Sequence, residues 1–255
     1  MFNYPLGGRA HIYIGGRDLS EFRAKLETDY SITGYALENT YNKGALRSGF
    51  TLLRQAPELL SIILPINIFG ADKRETTENL AAINAQCAGV VELDLSDGFA
   101  YTCMLEEVRG TTWLSDAWCT ADYCFMGVRH KDPIAVSAPA PLHLQNGATW
   151  PKNDCTITIK NFKAKTSAPV VITLSGEGKT LLTWKIDTSG GLYQAGGDLV
   201  LDGVRQRNGY NGGNIPTGTM TWTDYPYLVP GQNTISVSGG TTKADIVVDY
   251  TPAYL

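Results

Sequence analysis

The alternation of apolar and polar positions changes character once along this chain. In the first half, A-H-I-Y-I alternates and runs into Gly15-Gly16, while S-I-I-L-P-I-N-I-F is rich in β-branched residues; both read as strands. One segment between them and the next strands has a helical period instead. Asp72 is placed to cap it, Glu75 follows three residues later as in a capping box, and Gly89 is placed to end it, so a helix is predicted near 73–88. Thr76, Leu80, Ile83 and Cys87 then share one stripe. After the helix, V-V-E-L-D-L sets Val91, Leu93 and Leu95 against Glu92 and Asp94, turns at Ser96-Asp97-Gly98 and resumes as F-A-Y-T-C-M-L-E-E-V, which predicts a hairpin.

Beyond residue 150 the helical period disappears. Short alternating runs follow about every ten residues: T-I-T-I-K, P-V-V-I-T-L, L-L-T-W-K-I-D, D-L-V-L-D, T-M-T-W-T, T-I-S-V-S and A-D-I-V-V-D-Y. Gly, Asn, Asp and Pro separate them, as in a β-sandwich or jelly roll. Near the end, Pro230-Gly231 reads as a type II turn with Asn233 as a polar start to the next strand. Ile235 and Val237 then share a face, as do Ala244, Ile246 and Val248, and Tyr254-Leu255 are expected to pack on the sandwich or on a neighbour. Between the halves, four prolines within 131–152 read as a linker. The expected organisation is a β-rich α+β domain over 1–132, β-barrel-like with one principal helix, a Pro-rich linker over 133–152, and an all-β domain over 153–255. No period of 20 to 50 residues suggests a solenoid or propeller.

Composition narrows the function. Of 255 residues, 43% are hydrophobic and 18% charged, a folded chain with low surface charge. The net charge is −4 and no dense Lys/Arg run exists to neutralise a series of phosphates, which argues against nucleic-acid binding. The acidic excess belongs to the first half, with 12 basic and 17 acidic residues before position 135. No secretory leader pattern opens the sequence and no apolar run approaches the ~20 residues of a membrane span, so synthesis in a cytosol without membrane insertion is expected. Cys87, Cys103, Cys119, Cys124 and Cys155 are odd in number and irregularly spaced, as reduced structural thiols are.

Several strings imitate chemistry. Gly178-Lys179-Thr180 matches the end of a phosphate-binding loop, but Thr173 stands where the earlier glycine belongs and a strand pattern follows, so S-G-E-G reads as a hairpin turn. Cys119, Cys124 and His130 fall short of a four-ligand zinc set, and the two cysteines, five residues apart, would face opposite sides of one strand. Asp94, Asp97 and Gly98 lack the ladder of a calcium loop. Only His11, His130 and His143 could serve as imidazole bases, and no G-x-S-x-G elbow occurs. No catalytic residue, cofactor or metal is assigned, and the protein is not expected to be an enzyme. For the aromatics, core packing of Trp184 and Trp222 and loop packing of Tyr210 are preferred; Tyr210 and Trp222 are the alternative candidates for stacking on a glycan.

The stretch I-N-I-F-G-A-D-K-R-E-T-T-E-N-L-A-A-I-N, followed by E-L-D-L-S-D-G-F-A-Y, resembles the N-terminal domain of distal tail proteins of long-tailed, non-contractile bacteriophages. H-I-Y-I-G-G-R-D-L-S-E-F is similar to that family's first strand and turn. N-G-A-T-W-P-K-N-D-C-T-I-T-I, D-L-V-L-D-G and Y-P-Y-L-V-P-G-Q-N-T-I-S-V look like its C-terminal galectin-like sandwich. The resemblance implies a structural virion protein at the distal end of the tail, made in the host bacterial cytoplasm from a phage or prophage gene. Its N-terminal domains would form a hexamer ring joining the tail tube to tail-tip or baseplate proteins, near the tape-measure and receptor-binding proteins, with a channel that passes DNA. An acidic ring would not retain DNA through phosphate contacts. The alternative is a carbohydrate-binding module for attachment to the host surface, although the residues after Trp184 (Lys185-Ile186-Asp187) and after Trp222 (Thr223-Asp224-Tyr225) lack the galectin sugar motif.

Overall fold

The structure, a computed structural model, describes residues 11–34, 37–43, 50–57, 59–164, 169–216, 218–240 and 245–254. The chain divides into two compact units, Met1–Lys131 and Asp132–Tyr254, and is mainly β with a single α-helix among the described residues.

The first unit runs β1 (Tyr13–Ile14), β2 (Arg17–Asp18), β3 (Ala24–Leu26), β4 (Ser31–Thr33), β5 (Leu37–Lys43), β6 (Phe50–Pro57), β7 (Leu60–Phe69), α1 (Lys73–Gln86), β8 (Val90–Asp94), β9 (Ala100–Ser115) and β10 (Trp118–His130). One antiparallel sheet has the order β2-β1-β8-β9-β10-β7-β3, with β4 also on β7, while β5 and β6 pair with each other. The path is open, so the expected barrel-like closure is not found among the described residues: the outer positions are held by strands of two or three residues.

Pro65 lies inside β7, an internal strand, where a missing donor would ordinarily break a ladder. Its carbonyl accepts from Glu27 N–H at 2.8 Å, on the side away from β10. The missing N–H therefore faces the gap between β3, which pairs at residues 66–68, and β4, which pairs at 61–63, and no rung is lost.

Asp72 caps α1 by accepting from Glu75 N–H at 2.9 Å, and the Glu75 carboxylate reaches back to Ala71 N–H at 2.6 Å, one residue before the usual capping-box position. Thr76, Ile83 and Cys87 are buried and Leu80 packs beside them, so the stripe is the face laid on the sheet. Gly89 adopts a positive φ of 76°, the left-handed geometry that turns the chain out of the helix. The expected β8–β9 hairpin forms, with Val90 opposite Met104 and Asp94 opposite Ala100. Val91, Leu93 and Leu95 enter a core with Ile62, Leu64, Ile66, Tyr101 and Tyr123.

The second unit runs β11 (Ile134–Pro139), β12 (Leu142–Asn146), β13 (Asn153–Phe162), β14 (Val170–Gly176), β15 (Lys179–Ile186), β16 (Gly197–Asp202), β17 (Arg207–Tyr210), β18 (Gly213–Asn214), β19 (Met220–Trp222), β20 (Tyr227–Leu228), β21 (Gly231–Gly239), β22 (Asp245–Tyr250) and β23 (Ala253–Tyr254). One sheet has the order β11-β22-β13-β16-β17-β18 with β20 on β13, and the other β12-β21-β14-β15-β19. Their alternating residues bury one cluster containing Ile157, Ile172, Trp184, Leu199, Leu201, Ile235 and Val248, as in a sandwich.

The segment read as a linker belongs to this unit. β11 and β12 are edge strands, one in each sheet, and pair with β22 and β21 over 134–139 and 142–146. Pro133, Pro139, Pro141 and Pro151 fall at strand ends, where a missing N–H costs no internal rung, so they punctuate strands. The glycine-rich run N-G-Y-N-G-G-N is likewise a hairpin, β17 to β18, turning at Asn211 and Gly212 with φ of 53° and 81°.

Asn233, expected as a polar start to β21, is fully buried. Its Oδ1 accepts from Val229 N–H at 3.1 Å, and its Nδ2 donates to the carbonyls of Val229 at 2.7 Å and Gly231 at 3.1 Å. Buried Asn146 adds a bond to the Val229 carbonyl at 3.1 Å. Gly231 has φ 87°, the left-handed geometry required after Pro230. At the chain end, the Ala253 carbonyl accepts from the backbone N–H of Thr149 and Trp150, and Tyr254 is half-buried; Ala244 and Leu255 lie outside the described residues.

Candidate assembly surface

The residues expected to imitate chemistry are dispersed. Glu177 and Gly178, with φ of 51° and 78°, close the β14–β15 hairpin, so Lys179-Thr180 begins a strand and caps no helix. Cys119 faces the core of the first unit with Ala121, Tyr123 and Phe125, while Cys124 lies on the other side of β10, as the odd spacing predicts. All five cysteines are free and buried. Burial pushes the Cys87 and Cys103 thiols up to about 12, away from the reactive thiolate form. Tyr101 is also pushed up, chiefly by burial and then by its 2.5 Å bond to the Asp97 carboxylate in the β8–β9 turn. Asp94 accepts from Ser96 N–H and Asp97 from Phe99 N–H, so both carboxylates serve the turn.

The three histidines contact different partners. His11 Nδ1 lies 2.6 Å from Asp18 Oδ2, His130 Nε2 lies 2.9 Å from Thr102 Oγ1, and His143 Nδ1 lies 3.0 Å from Thr234 Oγ1. Each contact is exposed and none places a cysteine beside an imidazole.

The two glycan candidates separate. Tyr210 is not a loop residue: it sits on β17, buried edge-to-face against Tyr193 with ring centroids 4.8 Å apart, in the sandwich core. Trp222 is not a core residue: it is 44% exposed on β19, an edge strand of the other sheet. Trp184, its cross-strand neighbour, fills the core. The two rings are directly opposed and so share a face of the sheet; they differ because Trp222 lies on the edge strand, with no further strand beyond it, while Trp184 lies on β15, between β14 and β19.

A surface that sequence reasoning left unmarked lies at the far end of the β9–β10 hairpin. β8 covers β9 only through Met104, so residues 105–115 extend past it, and Trp113, Leu114 and Trp118 are exposed there. Trp118 stacks on Phe69 at 5.8 Å between centroids and donates from Nε1 to Asn67 Oδ1 at 2.9 Å. The hairpin end is tied down by Gly70 N–H donating to the Ala117 carbonyl at 3.1 Å and by Thr76 Oγ1 donating to that of Asp116 at 3.3 Å. Lys73 Nζ lies 5.4 Å from the Trp113 ring centre and Lys25 Nζ 5.2 Å from that of Phe69. Exposed tryptophans on an anchored backbone, flanked by cations, have the composition of a binding surface for another protein.

The opposite end of the sheet carries carboxylates. Tyr13, Gly15, Gly16, Glu92 and Asp94 line an open hollow of about 620 Å³. Val90 and Met104, paired across β8 and β9, are exposed on the same face of β8 as Glu92. The signal available in sequence was W-L-S-D-A-W, two tryptophans and a leucine around a tight turn, where a core would not be expected.

Neither a family model nor a curated protein matches the sequence. A solved structure does share its fold. The SPP1 Dit protein (gp 19.1), a paradigm of the hub adsorption apparatus in phages infecting Gram-positive bacteria, is similar with 15% identity and a TM-score of 0.67 over 96% of this chain and 99% of that one. A chain of the phage P2 baseplate in its activated conformation with Ca is similar at 11% identity over 91% of this chain and 92% of that one, with a TM-score of 0.41, too low to establish a common fold. Both units of this chain thus have their counterpart in the fold of SPP1 Dit, over nearly its whole length.

Proposed function

We propose that the protein is a structural hub component of a phage tail, at the distal end of the virion. The observation that carries this reading is the likeness in fold to SPP1 Dit across both units. In this role the first unit forms a ring, a hexamer, that joins the tail-tube protein to tail-tip, baseplate or receptor-binding proteins close to the tape-measure protein. DNA passes through its channel. The exposed tryptophans at the hairpin end support the reading, because an assembly protein needs an anchored apolar surface. The acidic excess before residue 135 suits a channel that does not retain DNA. The second unit, a galectin-like sandwich in this reading, serves as a docking surface, and the protein performs no catalysis.

Light scattering and negative-stain images of the purified chain test the proposal. A symmetric ring several times 27.7 kDa is expected; a strict monomer at high concentration, or turnover of peptidoglycan, would overturn it.

Attachment to host glycans is the second reading, and one observation favours it: exposed Trp222 lies 6.2 Å from the Tyr225 ring, a pair able to stack on a sugar. Tyr210, enclosed in the core, no longer contributes to it. A glycan array in which Trp222→Ala abolishes binding would promote this reading; an array with no bound glycan removes it.

A further inference from the structure

The two ends of the first unit's sheet differ in a way that the ring reading alone does not require. At one end, Trp113 and Leu114 stand exposed on the hairpin, with Lys73 over the Trp113 ring. Among the described residues the Lys73 ammonium has no carboxylate within ion-pair distance, whereas its helix neighbour Arg74 is paired with Glu78. At the other end lies the hollow of Tyr13, Gly15, Gly16, Glu92 and Asp94; Val90, on the same face of β8 as Glu92, and its partner Met104 are exposed. Glu92 forms no ion pair among the described residues, and its backbone carbonyl accepts from Gly15 N–H at 2.8 Å.

Twelve residues of β10 separate Trp118, beside the aromatic end, from His130, whose row across the sheet leads through Ala100 to Asp94. Trp113 lies on the row of Cys119 and Glu92, through Thr102, on that of Val128, so at ~3.3 Å per residue the two are roughly 30 Å apart, too far for one to serve the other within a single chain. They complement each other between chains: an aromatic-aliphatic projection with a cation against an open hollow with a tyrosine and two carboxylates.

We infer that the hairpin end of one copy, through Trp113, Leu114 and Lys73, docks into the Glu92–Asp94 hollow of a second copy. The inference rests on the ring reading and specifies which surfaces meet. Such a contact is heterologous, using different patches on the two partners, and heterologous contacts generate rings or open filaments where isologous ones stop at a dimer. Trp113 supplies the apolar anchor; Lys73 and Glu92 set the orientation and exclude a reversed approach, which would oppose like charges.

Two exposed charge reversals in the full chain test it, Lys73→Glu and Glu92→Lys. Both leave the fold intact by design, since an acidic residue in the first turn of α1 suits the helix dipole and the Glu92 side chain faces solvent. Circular dichroism and thermal melting verify this. By light scattering, the wild-type chain is expected to assemble, and each variant alone to associate roughly tenfold more weakly or worse, because like charges then meet at every contact. An equimolar mixture should recover the wild-type mass. In alternating copies the introduced glutamate of one variant meets the introduced lysine of the other, while the unchanged Lys73 of the second meets the unchanged Glu92 of the first, an arrangement that an even-numbered ring accommodates. Trp113→Ala should weaken assembly without recovery in any mixture of these variants.

The outcomes separate. A wild-type chain that stays monomeric at high concentration overturns the ring reading and this contact with it. A wild-type assembly that either charge variant forms equally well overturns the contact and leaves the ring. Loss in both variants without recovery on mixing also overturns the contact, because the charges would then act elsewhere.

Discussion

Replacing Asn233 by Ala removes the clamp that holds the Pro230-Gly231 turn against the sandwich. The side chain makes three hydrogen bonds to the turn backbone and is fully buried, so water does not replace them. At about 1 kcal/mol net for each bond, the loss is about 3 kcal/mol. With a slope of about 2 kcal/mol per molar urea for a domain of this size, the second unit's unfolding midpoint should fall by about 1.5 M. Tryptophan fluorescence reports it through Trp184 in the core, with far-ultraviolet circular dichroism followed in parallel. Asn233→Asp is the sharper comparison. It keeps the bond from Val229 N–H but turns a carboxylate toward the carbonyls of Val229 and Gly231, which raises its pKa in the fold. The variant should therefore be at least as unstable at neutral pH and recover partly on acidification, as the protonated carboxyl regains one donor. A midpoint change under about 0.5 M for the alanine variant, about 1 kcal/mol on the same slope, would refute the clamp.

Other predictions divide between the units. Ile83→Ala, on the buried stripe of α1, should destabilise the first unit by about 2 to 5 kcal/mol in urea unfolding, and Asp72→Ala, which removes only the cap, by about 1 kcal/mol. Trp184→Ala should cost about 3 to 5 kcal/mol while Trp222→Ala stays within about 0.5 kcal/mol; equal effects would contradict the opposite placement of the two rings. Native chain at pH 8 should resist thiol-reactive dyes at Cys87 and Cys103, whose thiols burial holds near 12, and react fully once unfolded. Asp18 and Asp198 are held below the usual carboxylate range, chiefly by hydrogen bonds from Ser20 and from Lys160 respectively. Each lowered pKa contributes stability above the unfolded-state value of about 4 that is lost as pH falls through the folded value. Melting temperature should therefore drop below pH 4, less steeply in Asp18→Asn; an unchanged acid profile in that variant would argue against the assignment.

Residues close together in the chain set its local grammar, and that much was legible without a fold. α1 was legible because Asp72, Glu75 and the Thr76–Cys87 stripe state a cap and a period within sixteen residues. Most strands between 156 and 250 were legible because the side-chain period of two and the turn residues act over short range; the short β17, β18 and β20 were not. The opposite facing of Cys119 and Cys124 followed from parity alone. Whatever depends on partners distant in sequence was settled by the assembled sheets. Prolines that read as a linker became strand punctuation once β11 and β12 found the edges of two sheets. Pro65 could stay inside β7 because its bare face meets a gap between two short strands. Tyr210 went into the core, Trp222 to its edge and Trp113 to the end of a hairpin, because burial is set by how many neighbouring strands surround a position. A chain's own periodicity shows which residues share a face; the neighbouring strands determine whether anything covers it.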